Sequence, residues 1–368
     1  MTIPMILESI RTDLARDILA GRDNTRTFHP ANYDPYIAAS ILQKAIRRGD
    51  EAHALRAAAR LLESAPARLW RRLLVIGFED IGIGDLDVVG KVTAVHGQKR
   101  WRTAHGGEWP IIAMLVSNLC RAPKDRTADD ILHLAENDPR LEDHRRCWST
   151  APIDRLAAII SDPETDFVEQ VLALWFGVGT DRYRSPQLRA RRGFPEDVYA
   201  TFKTIGISDE VLAISWVGHK KMSWPLAAFL PLIWHRARGA TREIESDTMP
   251  PCSMIGDAPS YALDTFTRGG KTAIRELVKS STPLRHYLTP HAPQARWPAI
   301  VALMLFRVEG GLMANRLRWK EGDAIKEVDD LTIPGLPREA VPEALEILKQ
   351  ELSTLNAIRT RIGVPNFR

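Results

Sequence analysis

Cysteine is scarce. The 368 residues hold three, Cys120, Cys147 and Cys252, widely spaced and forming no CxxC. So odd and scattered a set argues against a disulfide framework or a zinc knuckle, and free thiols fit a reducing cytoplasm. Long apolar runs are missing too. The greasiest, Trp224–Trp234 and Ala299–Phe306, are too short to span a bilayer, so no membrane partner is expected. The first residues carry Glu8 and Asp13 without an apolar stretch, so no secretory signal is expected and the cytoplasm is the expected compartment. Charge of one sign is also lacking: 50 Lys and Arg against 46 Asp and Glu leave +4. Such a field does not announce a nucleic-acid partner by itself, so local clusters must carry any such reading.

What is present is helical periodicity. Apolar residues are 45% of the chain and charged ones 26%, ordinary for a globular protein. Ile37, Ile41 and Ala45, with Ala38, Leu42 and Ile46 beside them, recur every four residues. Gly49 stops that helix and Asp50 caps the next, which carries Ala52, Leu55, Ala59 and Leu62. A third helix runs from Pro66 to Gly82, a fourth follows Asp85, and a fifth has Pro110 in its first turn and ends at Pro123. Further helices are predicted over Ile153–Ile160, Phe167–Phe176, Pro195–Thr204, Ser208–Val217, Pro225–His235, Thr272–Lys279 and Pro298–Leu317. Glu245–Pro259 reads as a long loop, and Lys320–Pro337 as a polar insertion with a short hairpin or nothing regular. Arg338–Arg361 reads as one final helix. Its seam of Val341, Leu345, Leu348, Leu352 and Leu355 is expected to dock within the chain, a dimer contact being the alternative. Few segments alternate with period two, so the fold class is mainly α. Three parts are expected: an N-terminal helix and linker (1–30), a helical bundle (31–138) and a second helical domain (139–368).

Between Tyr33 and Leu134 three stretches share order and spacing with a known family. They are Tyr33-Asp34 with Ala38-Ala39-Ser40 and Lys44–Asp50; Ala59–Leu62 with Arg71-Arg72-Leu73 and Ile76–Gly82; and Asn118–Lys124, which ends in Ala-Pro-Lys. Here the chain resembles the C-terminal region of the RarA/MgsA proteins, clamp-loader-like AAA+ ATPases. Arg56-Ala57 replaces the family's aromatic pair, and Leu86 stands where it has a proline. The resemblance implies a collar-like helical bundle that holds ring subunits together. It also implies work at replication forks, with a homo-oligomer, a partner ATPase or another DNA-processing protein as partner. It places Arg71, Arg72, Glu79 and Asp80 in a structural ion network, a solvated face being the other reading.

An ATPase core is not expected. A phosphate loop needs G-x-x-x-x-G-K-[ST], and Gly269-Gly270-Lys271-Thr272 lacks the first glycine, since Thr265 stands there. It reads as a turn starting a helix. No cofactor and no metal are expected, since the histidines show no HExxH or HxxxH spacing and no G-x-S-x-G occurs. An enzyme site around Asp264, Lys271 and His219 is the alternative, with Asp264 or Thr267 as a helix cap the plainer reading. DNA binding has two candidate clusters, the loop Arg182, Arg184, Arg189, Arg191 and Arg192 with Tyr183 and Phe194 interleaved, and Lys99, Arg100 and Arg102 around Trp101. Cations that meet phosphates beside aromatic faces are what a single strand needs, while loop arginines paired to Asp181, Glu196 and Asp197 would need no ligand. The favoured function is a non-catalytic assembly protein of DNA replication, recombination or repair. A regulatory protein–protein module without nucleic acid is the third reading.

Overall fold

The computed structural model describes residues 2–20, 30–183 and 185–363. The chain is mainly α: 70% helix against 3% strand, with twenty α-helices among the described residues. The first eight are α1 (Ile3–Ala20), α2 (Pro35–Arg48), α3 (Glu51–Ser64), α4 (Pro66–Ile76), α5 (Leu86–Val95), α6 (Lys99–Ala104), α7 (Glu108–Arg121) and α8 (Thr127–Asn137). Six more follow: α9 (Glu142–Trp148), α10 (Ile153–Ser161), α11 (Phe167–Val178), α12 (Pro195–Thr204), α13 (Asp209–Lys221) and α14 (Leu226–Ala237). The last six are α15 (Arg268–Ser280), α16 (Thr282–Leu288), α17 (Trp297–Leu305), α18 (Lys320–Asp330), α19 (Val341–Gln350) and α20 (Leu352–Ile362). No helix among the described residues is long and apolar enough to cross a membrane.

Local signals set most of the ends. Asp34 caps α2 by accepting from the Tyr36 amide, Pro35 opens its first turn, and Gly49 stops it in the left-handed region at φ 68°. Asp50 and Asp85 cap α3 and α5. Two helices leave through π-turns, α4 through Gly77–Ile81 and α17 through Phe306–Gly310. Such turns add a residue to the helical circuit and re-aim side chains, often at functional places.

Hydrophobic packing forms two cores. The first runs from Leu14 to Leu263 and takes in Leu317, Trp319 and Ile325; the second is built from Ala273 to Ile358. The expected 138/139 boundary therefore does not divide the apolar interior. The reason is α11, buried on nearly every side, which packs against α8 and α14 and locks the two stretches together. The second core is α15–α17 with α19 and α20.

Four segments differ from their sequence-based expectation. Lys320–Pro337 begins with helix α18, lying along α8. The helix expected over Pro298–Leu317 ends in the π-turn at Gly310, and Arg316–Arg318 is a strand antiparallel to Glu243–Glu245, with Glu243 opposite Arg318. A second two-stranded pair, Met254–Ile255 with Ala258–Pro259, interrupts the expected long loop. The expected final helix is two, separated at Glu351. Its seam residues Val341, Leu348 and Leu355 are buried in the second core of the same chain.

Candidate functional site

Helix α2 is buried along Ile37–Arg47, including Ser40, Gln43, Lys44 and Arg47. Polar groups so placed must be paired. Arg47 lies between the two π-turns. It donates to Glu79 Oε1 at 2.7 Å and Asp80 Oδ1 at 2.5 Å on one, and to the Gly310 carbonyl at 3.0 Å on the other. Arg126 also donates to Asp80 and to Asp129, and Gln43 Nε2 donates to Glu79 Oε1 at 2.9 Å and Asp80 Oδ2 at 2.8 Å. Burial alone would raise the Asp80 pKa, but Arg47 and Arg126 outweigh it and hold the group below the usual carboxylate range. Glu79 is pushed up by burial and by the charge of Asp80. Next along α2, Lys44 Nζ lies 2.9 Å from Asp264 Oδ2 and donates to Ser40 Oγ at 2.6 Å, and Ser40 donates to the Ala262 carbonyl at 2.7 Å. Burial pulls the Lys44 ammonium below its ordinary pKa, with Asp264 opposing.

Above this floor opens a cleft of about 840 Å³, lined from both cores. Two of its walls are helix faces. Helix α4 presents Arg68, Arg71, Arg72 and Val75, and α8 presents Asp129, Leu132, His133 and Glu136. Each set has the i, i+3, i+4, i+7 spacing of one helical face. On the α4 wall, Arg68 stacks 3.9 Å over the Tyr36 ring centroid, Arg71 bonds only the Ala67 carbonyl, and Arg72 donates to Gln43 Oε1 at 2.8 Å. Among the described residues none of these three arginines has a carboxylate partner. On the α8 wall, Asp129 accepts from Arg126, and His133 Nδ1 meets Asp329, which also takes Arg307 Nη1 at 2.5 Å. Aromatic side chains line the cleft as well. Tyr36 is 63% exposed, Phe266 71% and Trp224 38%, and Tyr183 packs on Trp224 at a 5.0 Å centroid distance.

Beneath the α8 wall Asp130 is buried. Burial first, then the neighbouring Asp329, push its pKa up to about 7, with Lys326 and Arg126 opposing and Asp129 adding to the rise. The sign follows from linkage. A raised folded-state pKa means that the native protein holds this proton more tightly, so stability from this group falls as pH rises from about 4 through 7. Asp130→Asn imitates the protonated form. It is expected to unfold at higher urea than the parent at pH 8, by roughly 1–3 kcal/mol, with no advantage at pH 4. An equal effect at both pH values would contradict this titration.

The sequence-predicted residues scatter. Glu79 and Asp80 do form a buried network, but their cations are Arg47 and Arg126; Arg71 faces the cleft, and Arg72 reaches the network only through Gln43. Arg102 turns inward onto Glu108 at 2.9 Å and the Val95 carbonyl at 2.8 Å, lying over the Trp70 ring, so it is a packing residue. Lys99 and Arg100 are exposed at the start of α6. Arg182 donates to the Met222 carbonyl at 2.6 Å and meets His219 Nε2 at 3.1 Å, and Arg191 donates to the Trp148 carbonyl at 2.8 Å. Main-chain carbonyls thus hold these two, where Asp181, Glu196 and Asp197 had been the alternative partners. Arg189 and Arg192 are exposed, and Arg184 lies outside the described residues.

Neither Asp264 nor Lys271 nor His219 lines the cleft. Asp264 is spent on Lys44 and the Phe266 amide, Lys271 is exposed on α15, and His219 is buried on α13, its pKa pushed down to about 4 by burial and Arg182. Thr267 caps α15 by accepting from the Gly270 amide at 3.1 Å. A Cβ on Gly270 would lie 2.0 Å from the Asp264 carbonyl oxygen, so this glycine serves close packing at a helix start.

Periodicity missed Arg47, Arg126, Lys44 and the two cleft faces as a site. The arginines of α4 do carry a readable signal, since they sit opposite the buried Leu69, Leu73 and Ile76. Compared with known proteins, the chain matches no family model, no curated protein and no solved structure.

Proposed function

We propose that this protein is a non-catalytic binding and assembly protein of DNA metabolism, and that single-stranded DNA lies in the cleft between α4 and α8. The observation that carries the reading is the α4 wall. Arg68, Arg71 and Arg72 share one face without a carboxylate partner, beside the exposed rings of Tyr36, Phe266 and Trp224. The buried arginines of the floor, by contrast, are matched to acids. Like charges left side by side on a helix repel, and an anionic ligand relieves that cost. Arginines with stacking rings suit a strand whose phosphates need cations and whose unpaired bases need flat apolar surfaces. The resemblance of residues 33–134 to a clamp-loader collar supports the same class and adds a homo-oligomer or a partner ATPase as the assembly. Exposed Lys99, Arg100, Arg189 and Arg192 supply further contacts outside the cleft.

A second reading, an enzyme at Asp264, keeps one observation. Asp264, Lys44 and Ser40 form a chain in which Lys44 touches the Ser40 hydroxyl. Against it, Ser40 gives its proton to the Ala262 carbonyl and accepts from Lys44 Nζ, so the lysine is not placed to take a proton from that hydroxyl.

Fluorescence anisotropy with labelled single-stranded and duplex 12-mers tests the proposal. Single strands should bind tighter, with log K falling against log salt at a slope of about −2, the value for three phosphates at roughly 0.7 each. No binding at low salt, or tighter duplex binding, would overturn the reading.

A further inference from the structure

Resting on the assignment of the cleft to single-stranded DNA, we infer that the cleft selects bases carrying an exocyclic amino group, cytosine and adenine over thymine. The walls have opposite characters. Arginines of α4 meet the backbone, rings lining the cleft carry the bases, and base edges then project toward α8. That wall offers acceptors. Glu136 lines the cleft and makes no hydrogen bond or ion pair among the described residues. Asp129 has given Oδ2 to Arg126, which leaves Oδ1, and His133 has turned Nδ1 to Asp329, which leaves its other ring nitrogen for the cleft.

The chemistry of base edges then decides. Cytosine N4 and adenine N6 carry two N–H donors that a carboxylate accepts. Thymine has carbonyl oxygens and one ring N–H, so its O4 meets the anionic wall as acceptor against acceptor. A purely electrostatic groove with stacking rings would show no such order, because every base has a π-face. The acidic wall would be a defect in such a groove, since it repels phosphate. Placed opposite the arginines, it turns the strand so that phosphates and base edges face different helices.

The test compares oligo-dC with oligo-dT, both pyrimidines of similar size, by anisotropy on the full chain. Oligo-dC should bind at least about tenfold tighter, the size expected for a hydrogen bond to a charged acceptor. Glu136→Gln should narrow the preference severalfold while leaving oligo-dT binding equal or stronger, because the amide offers a donor to O4 and removes a charge. Since Glu136 has no hydrogen bond or ion pair to lose, this variant is chosen over any at Asp129, whose loss would disturb Arg126. Equal binding of the two oligonucleotides, or tighter oligo-dT, would overturn the base selection while leaving the strand-binding reading intact. Binding of neither would end both. A full preference retained in Glu136→Gln, with the fold unchanged by circular dichroism, would overturn the assignment to the α8 wall.

Discussion

Arg47→Ala is expected to lower the unfolding free energy by about 3–5 kcal/mol in urea denaturation at pH 7. Removing this guanidinium leaves Asp80, fully buried, with Arg126 and Gln43 alone, and leaves Glu79 short of a donor. It also frees the Gly310 carbonyl in the second π-turn. The loss therefore strikes both π-turns, one from each core. It is dominated by uncompensated carboxylate burial rather than by the intrinsic strength of the pair. Arg71→Ala is the internal control. Arg71 is exposed and bonds only a carbonyl of its own helix, so its removal should stay within about 0.5 kcal/mol. A loss at Arg47 below about 1 kcal/mol would contradict the reading that burial of Asp80 and Glu79 depends on this guanidinium.

The elements legible in the chain were those written by short-range chemistry. Gly49 and Asp50 mark the junction of α2 and α3 in two residues, and Pro195 and Thr204 bound α12 as the spacing predicts. Helix α18 was not legible because charged residues crowd its few apolar ones. Its order comes from lying on α8 and from pairs such as Lys326 with Asp330. The break before Arg316–Arg318 is likewise a tertiary outcome: Gly310 and Gly311 weaken the helix there, and pairing with Glu243–Glu245 supplies the alternative.

The site divides the same way. That Glu79 and Asp80 needed compensation followed from two adjacent acids near the end of the helix predicted over Pro66–Gly82. That Arg47 and Arg126 provide it did not, since they stand 33 and 46 positions from Asp80. Arginine-rich loops stand out in composition, yet composition does not show that the Met222 and Trp148 carbonyls occupy Arg182 and Arg191. The faces of α4 and α8 are periodic in sequence. Which two faces confront each other across a cleft is decided by packing, and no spacing encodes it.

The cleft itself is tested most directly by reversing its wall. Arg68→Glu with Arg71→Glu leaves the buried network alone, because Arg72, the one arginine of the three bonded to Gln43, is kept. Both changed side chains reach solvent or the Tyr36 ring, so thermal unfolding should stay within a few degrees of the parent. Single-strand affinity at low salt should fall by about 100-fold or more, and the salt slope should flatten as phosphate contacts disappear. A folded double variant that binds single strands as tightly as the parent would contradict the assignment of the strand to this cleft.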